Sequence, residues 1–154
     1  MIEELILAES RNGKSVFANR EFKKGEKIMD FKGPQCTYEQ LPYPYMEDKH
    51  VQIGKNRYMG PSGGLDDFVN HSCDPNSGLI IEKEVTLIAI KDIKKGEEIT
   101  WDYSTTMAEE DWGMDCNCGS KKCRKRIMDF YYLPEETKRK YEMLGIVPDY
   151  VLKP

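Results

Sequence analysis

Asn70-His71-Ser72-Cys73-Asp74-Pro75-Asn76 is the stretch that decides how this chain is read. It sets an amide, an imidazole, a hydroxyl and a thiol side by side, then turns on a proline. Cys73 has no cysteine near it in sequence. The cluster able to partner it lies far downstream, at Cys116, Cys118 and Cys123. A structural zinc site takes four ligands in a closed tetrahedron, so three clustered thiols call for a fourth from elsewhere. Cys73 is the natural candidate, because Cys36 stands in a different context, Gly33-Pro34-Gln35-Cys36. Gly119-Ser120 lets the backbone turn tightly between the ligands. If the two segments meet, the residues beside Cys73 are fixed in space by that meeting. The bland alternative is a set of unrelated, partly buried thiols.

Working outward, 154 residues suit one domain with a real core. The net charge of −4 argues against bulk electrostatic binding of nucleic acid, and no direct nucleic-acid partner is expected. The charge is compatible with a locally acidic cleft that receives a basic substrate. No apolar run approaches the ~18 residues of a membrane span. Met1-Ile2-Glu3-Glu4 lacks the basic start of a signal peptide, so an intracellular protein is expected, cytoplasmic or, in a eukaryote, nuclear. In a reducing compartment five cysteines, three of them clustered, read as metal ligands before disulfides.

The elements are short. Leu5–Ala8 and Ser15–Ala18 read as strands around a Gly13 turn, and Lys27–Phe31 as a strand ended by Gly33-Pro34. His50–Ile53 and Arg57–Met59 flank Gly54-Lys55-Asn56. Leu79–Glu82 and Val85–Ile90 form a hairpin, and Ile99–Trp101 follows a second Lys-Lys-Gly-Glu turn that echoes residues 23–26. Only the turn matches, so no internal repeat is inferred. One helix is expected over Glu135–Leu144: Pro134 suits its first turn, Glu135 and Glu136 its positive end, and Gly145 its stop. The fold class is therefore mainly β, many short strands with a C-terminal helix.

Three blocks carry a family resemblance. Asn70 to Asn76, then Gly96-Glu97-Glu98-Ile99-Thr100-Trp101-Asp102-Tyr103, then Cys116-Asn117-Cys118-Gly119-Ser120-Lys121-Lys122-Cys123-Arg124 resemble, in that order, the asparagine-histidine, tyrosine and post-SET zinc motifs of SET-domain protein-lysine methyltransferases. The resemblance spans roughly residues 3–128. It implies a SET domain over 1–114, a post-SET zinc motif over 115–128 and a helical tail over 129–154. It implies several small curved β-sheets around a knot-like core, with the asparagine-histidine strand against the tyrosine segment, an otherwise rare threading. It also implies transfer of a methyl group from S-adenosylmethionine to a protein lysine, and Zn2+ on Cys73, Cys116, Cys118 and Cys123.

The resemblance assigns the remaining roles residue by residue. Tyr103 is the expected catalytic residue, its hydroxyl orienting amine and methyl, and also a cofactor contact. Asn70 and His71 hold the cofactor. Gly13-Lys14-Ser15-Val16 matches the Gly-x-Gly cofactor turn, with Ser15 in place of the second glycine. His50 falls where relatives place an aromatic cofactor contact, and Asn117 and Arg126 where relatives cover the adenine. Trp101 and Tyr103 line the lysine pocket. Departures are Asp67 where relatives often carry Arg, Lys125 in place of a frequent Gly, and Trp101 in place of Phe or Tyr. The loop with Tyr38, Pro42, Tyr43, Pro44, Tyr45 and Met46 offers either a groove wall for an added peptide strand or a self-closed surface loop.

The expected partner is a lysine-containing protein or peptide; a histone tail, a histone-like protein, a ribosomal protein or another chain all fit. Two other functions compete with the enzyme: a non-catalytic, zinc-stabilised SET-like interaction module, and a zinc-ribbon-like binding domain without cofactor. Methyl transfer, cofactor binding without turnover, and no cofactor binding separate the three.

Overall fold

Two apolar runs meet around Gly13, which takes the left-handed backbone conformation at φ +88°. In the computed structural model, which describes residues 3–42, 50–109 and 112–153, they are β1 (Leu5–Ser10) and β2 (Gly13–Ala18). The pair is antiparallel, with Leu5 opposite Ala18 and Ser10 opposite Gly13. Val16 and Ala18 point inward and are fully covered. The other strands are β3 (Lys27–Phe31), β4 (Gln35–Cys36), β5 (Val51–Gly54), β6 (Arg57–Met59), β7 (Asn70–His71), β8 (Ser77–Ile81), β9 (Val85–Ala89), β10 (Thr100–Trp101), β11 (Gly113–Asp115) and β12 (Arg126–Met128).

These strands assemble into small sheets: β3-β9-β8, β4-β6-β5, and the pairs β1-β2, β7-β10 and β11-β12. The β8-β9 hairpin runs from Ser77 opposite Ala89 to Ile81 opposite Val85. The main core lies between the sheets, where Val16, Phe22, Leu79, Leu87, Ile93 and Ile99 are wholly buried. The two Lys-Lys-Gly-Glu turns are neighbours in space, since Phe22 and Ile93, just before each, exchange backbone hydrogen bonds.

β7 and β10 are parallel, Asn70 beside Thr100 and His71 beside Trp101. The expected contact between the asparagine-histidine strand and the tyrosine segment is therefore present. It is reinforced side chain to backbone. Asn76 Nδ2 donates to the Glu98 carbonyl at 2.7 Å, the Thr100 amide donates to Asn76 Oδ1 at 3.0 Å, and Ser77 Oγ donates to the Thr100 carbonyl at 2.5 Å. These polar atoms are covered, so each bond also prevents an unsatisfied buried group.

The C-terminal residues pack on this framework. Helix α1 (Glu135–Met143) begins after Pro134 and stops at Gly145, which takes φ +75°. Tyr141 and Ile146 join Ile90, Phe130 and Leu133 in a second apolar cluster. Ile146 seats directly on β8: a Cβ at Gly78 would stand 2.7 Å from its Cγ2. β4, β11, β12 and a second helix have no counterpart among the elements expected from sequence. Pro148 begins a short α2 (Asp149–Leu152), and β11 with β12 forms a hairpin on either side of the cysteine cluster. β5 starts at Val51, leaving His50 just outside it. Tyr43, Pro44, Tyr45 and Met46 lie outside the described residues. No helix among the described residues is long and apolar enough to cross a membrane.

Candidate active site

The cysteines predicted to meet do so. The Sγ atoms of Cys73, Cys116, Cys118 and Cys123 all lie within 4.8 Å of one another, and Cys73 and Cys116 are 3.8 Å apart. Sulfur ligands at ~2.3 Å around a tetrahedral Zn2+ stand a little under 4 Å from each other, so this donor set fits the ion. All five thiols are free, and Cys36 sits apart in β4. Burial pushes the Cys73 thiol up to about 11, whereas the Lys125 backbone N–H draws Cys123 down to about 7. A bound cation would favour the thiolate at every position.

The cluster is wired to the strand pair. The Tyr103 backbone N–H donates to His71 Nδ1 at 3.0 Å, which leaves the ring proton on Nε2, and Nε2 faces Cys73 Sγ at 3.3 Å. Burial lowers the His71 pKa to about 4, so the ring is neutral at physiological pH. The imidazole thus spans the amide of Tyr103 and a thiol of the cluster.

Two hollows meet at this strand pair, and Asn12 and Asn70 line both. The larger, of about 480 Å³, is walled mainly by Phe31, Val69, Trp101, Tyr103, Met107 and Trp112. The smaller, of about 260 Å³, is polar, walled by groups such as Arg11, Asn70, His71, Ser72 and Glu98. The first has the character for an alkyl chain and the second for a zwitterionic ligand.

Tyr103 stands in the wall of the larger hollow. Its hydroxyl donates to the Val69 carbonyl at 2.9 Å, and its ring lies between His71 (centroids 5.2 Å apart) and Trp101 (4.8 Å). Burial raises its pKa well above that of an ordinary tyrosine, so the phenol keeps its proton. With that proton committed to Val69, the oxygen presents lone pairs as an acceptor. Asn70 Nδ2 reaches toward Ser10 Oγ at 3.3 Å and the Lys14 carbonyl at 3.4 Å, tying the site to the Gly13 hairpin.

The other expected residues are placed as follows. Of Gly13, Lys14, Ser15 and Val16, only Lys14 reaches a hollow; Ser15 and Val16 are fully buried. His50 lines the larger hollow. Asn117 is held against the hairpin turn, its carbonyl accepting from Arg11 Nε at 3.1 Å and from Asn12 Nδ2 at 3.0 Å. Arg126 pairs with Asp115 at 3.0 Å across β11 and β12 and lines neither hollow. Asp67, at the wall of the larger hollow, accepts from the Ser62 and Gly63 amides at 2.9 and 2.8 Å. Lys125 takes φ +66°, the conformation a glycine would hold without strain. Asp102, Arg124 and Glu109 were not singled out from sequence, and each contributes to this region.

The family model for the SET domain matches residues 13–104. The chain belongs to the SET domain family. Among curated proteins, this SET domain resembles "Histone-lysine N-methyltransferase, H3 lysine-9 specific KMT1" of Fusarium mangiferae, at 33% identity over 77% of this chain and 37% of that protein. It also resembles human "Histone-lysine N-methyltransferase 2B", at 31% identity over 66% of this chain and 4% of that one. The chain thus spans a minor part of the length of these relatives. Among solved structures it resembles KRYPTONITE in complex with methylated mCHG DNA and SAH, with a TM-score of 0.66 and 23% identity over 79% of this chain and 28% of that one. That likeness places the SET fold independently of the sequence match.

Proposed function

We propose that this SET domain is a protein-lysine N-methyltransferase with Zn2+ on Cys73, Cys116, Cys118 and Cys123. The carrying observation is the meeting of a polar and an aromatic hollow at Asn70, beside a tyrosine hydroxyl fixed by Val69. S-adenosylmethionine, held in the polar hollow by Asn70, His71 and the hairpin turn, supplies a methyl group already activated on a sulfonium. The chain's own task is to orient and deprotonate the amine. A lysine arrives protonated, with a pKa near ~10.4. The aromatic walls of Phe31, Trp101 and Tyr103 disfavour the charged form by desolvation. The Tyr103 oxygen accepts from the amine N–H and aims the lone pair. Asn117, clamped to Arg11 and Asn12, keeps the post-SET segment over the turn.

The substrate proposed is a lysine-bearing protein segment of histone-tail type. The names of the relatives support that class, as does a second KRYPTONITE structure that holds an H3(1-15) peptide with SAH. An intracellular setting, nuclear in a eukaryotic source, accompanies it. The test incubates zinc-loaded protein with methyl-labelled S-adenosylmethionine and a histone H3 tail peptide, with mass spectrometry to locate the lysine. Transfer is expected, falling about 10²-fold in Tyr103→Phe, the size of effect a lost orienting contact produces. No transfer to H3 or to a whole-proteome lysine pool would overturn the reading.

A further inference from the structure

Buried side-chain polar atoms without a hydrogen-bond partner gather at one place among the described residues. Four such atoms, His50 Nδ1, Trp101 Nε1, Thr106 Oγ1 and Glu109 Oε1, belong to residues lining the same hollow as Tyr103. A native interior satisfies nearly all of its buried polar groups, so such a concentration points to partners supplied by whatever enters the hollow. Only one of the four residues, Glu109, can carry a negative charge. Among the described residues, the other carboxylates in this wall are Asp66 and Asp67, which already accept from the Lys32, Ser62 and Gly63 amides. Glu109 Oε1 is thus, among the described residues, the carboxylate oxygen in this wall left to meet a cation.

Resting on the methyltransferase reading, we propose that Glu109 is the proton acceptor for the target lysine. The entering ammonium binds against the Glu109 carboxylate, and one N–H proton passes to it, directly or through one water. The neutral amine then turns its lone pair to the methyl carbon. The N–C bond forms as the S–C bond breaks, and Glu109 returns its proton to solvent. Tyr103 cannot take this role, because its phenol stays protonated, and neutral His71 is committed at both ring nitrogens. A general base works best when its pKa lies near the working pH. Burial, with Asp129 as a neighbouring like charge, raises Glu109 to about 7. Among the described residues, the remaining charged or titratable side chains at this wall are Lys14, from the β1-β2 hairpin, His50, just before β5, the two engaged aspartates, and the Tyr58 and Tyr103 phenols; the Tyr150 hydroxyl of α2 is held by the Gln52 and Thr106 carbonyls.

The experiment has two arms on the full, zinc-loaded chain. In the first, carbon-13 NMR follows glutamate side-chain carboxyls during a pH titration, with n-butylamine as a lysine side-chain probe. One resonance should titrate near 7, vanish in Glu109→Gln, and shift to a lower midpoint with saturating n-butylammonium. In the second, kcat/KM for an H3 tail peptide is measured against pH. Glu109→Gln should be slower by about 10²-fold at pH 7.5, the usual span for a lost general base, and the deficit should close toward pH ~10 as solution supplies free amine. Glu109→Asp should recover part of the rate. An unchanged thermal midpoint or a higher one, with unchanged S-adenosylmethionine affinity, shows that Glu109→Gln is folded. A pH profile identical in wild type and Glu109→Gln, with no response to n-butylammonium, would overturn the proposal. No transfer by wild type, with a Glu109 that still responds to the amine, would instead overturn the methyltransferase reading and support the amine site.

Discussion

Arg124 grips Asp102 through two parallel bonds, Nη1 to Oδ2 and Nη2 to Oδ1, both 2.9 Å. Asp102 precedes Tyr103 in the chain and Arg124 follows the last cysteine of the cluster, so this fork joins the Tyr103 segment to the segment that carries the downstream cysteines. The same carboxylate accepts from the Ser104 amide at 3.0 Å and from the Tyr141 hydroxyl of α1 at 2.8 Å. A fully buried carboxylate needs all of these donors, and the planar guanidinium supplies two at once.

Removing the fork should therefore be severe. Breaking a buried ion pair leaves an uncompensated charge and costs about 3–5 kcal/mol. Arg124→Ala is expected to lose on the order of 3 kcal/mol in denaturant unfolding, and Arg124→Lys to recover only part of it. Zinc content should stay unchanged, because no thiol is touched. A loss below about 1 kcal/mol would place this pair with screened surface bridges.

Metal removal should be felt at Tyr103 itself. Elemental analysis is expected to find one zinc per chain, lost in Cys73→Ser, Cys116→Ser, Cys118→Ser or Cys123→Ser and kept in Cys36→Ser. On chelation, amide exchange should rise across residues 113–128. It should rise also at the Tyr103 N–H, whose acceptor is His71, the ring that contacts Cys73. Exchange confined to the post-SET segment would show that the imidazole does not transmit the change.

The same contrast shows which parts of the molecule were legible in the sequence. Cys73 and the downstream cysteines could be joined by counting ligands, because zinc demands four donors whatever the fold. The strands Lys27–Phe31 and Arg57–Met59 match their reading at both ends, because alternation and turn residues act locally. Asp102, Arg124 and Tyr141 could not be joined that way. Each is an ordinary polar residue in its own neighbourhood, and only the tertiary fold converges them on one buried carboxylate. Glu109 is similar: a glutamate after Met107-Ala108 reads as solvated until the hollow closes around it. Lys125 was visible as a departure, but its consequence lies in φ.

That consequence is measurable. Lys125 holds φ +66°, and its carbonyl accepts from the Cys116 amide at 2.8 Å, closing the cluster onto β12. A left-handed conformation costs a non-glycine residue roughly 1–2 kcal/mol, partly offset by the greater freedom of glycine in the unfolded chain. Lys125→Gly is expected to raise the thermal midpoint by about 2–4 °C, the shift that about 1 kcal/mol produces at this size. A fall in the midpoint would mean that the lysine side chain contributes more than its backbone strain removes.

Glu109 should mark the stability curve as well as the rate. Its pKa is about 7 in the folded chain, against an ordinary value of 4.5, so between those limits the folded state binds more protons than the unfolded one. Stability then falls as pH rises from about 4.5 to about 7, and levels off above, where both states are ionised. Glutamine carries no charge and escapes that loss. Glu109→Gln is therefore expected to melt above the wild type at pH 8, with an advantage that shrinks as pH drops through 7 toward 4.5. Paired thermal melts at pH 8, 6.5 and 5 read this directly. A variant stabilised at high pH yet slowed in transfer would carry the signature of a carboxylate kept in an unfavourable place for its chemistry. Equal melting at all three pH values would mean that solvent relieves the carboxylate, and the raised pKa would have to be abandoned.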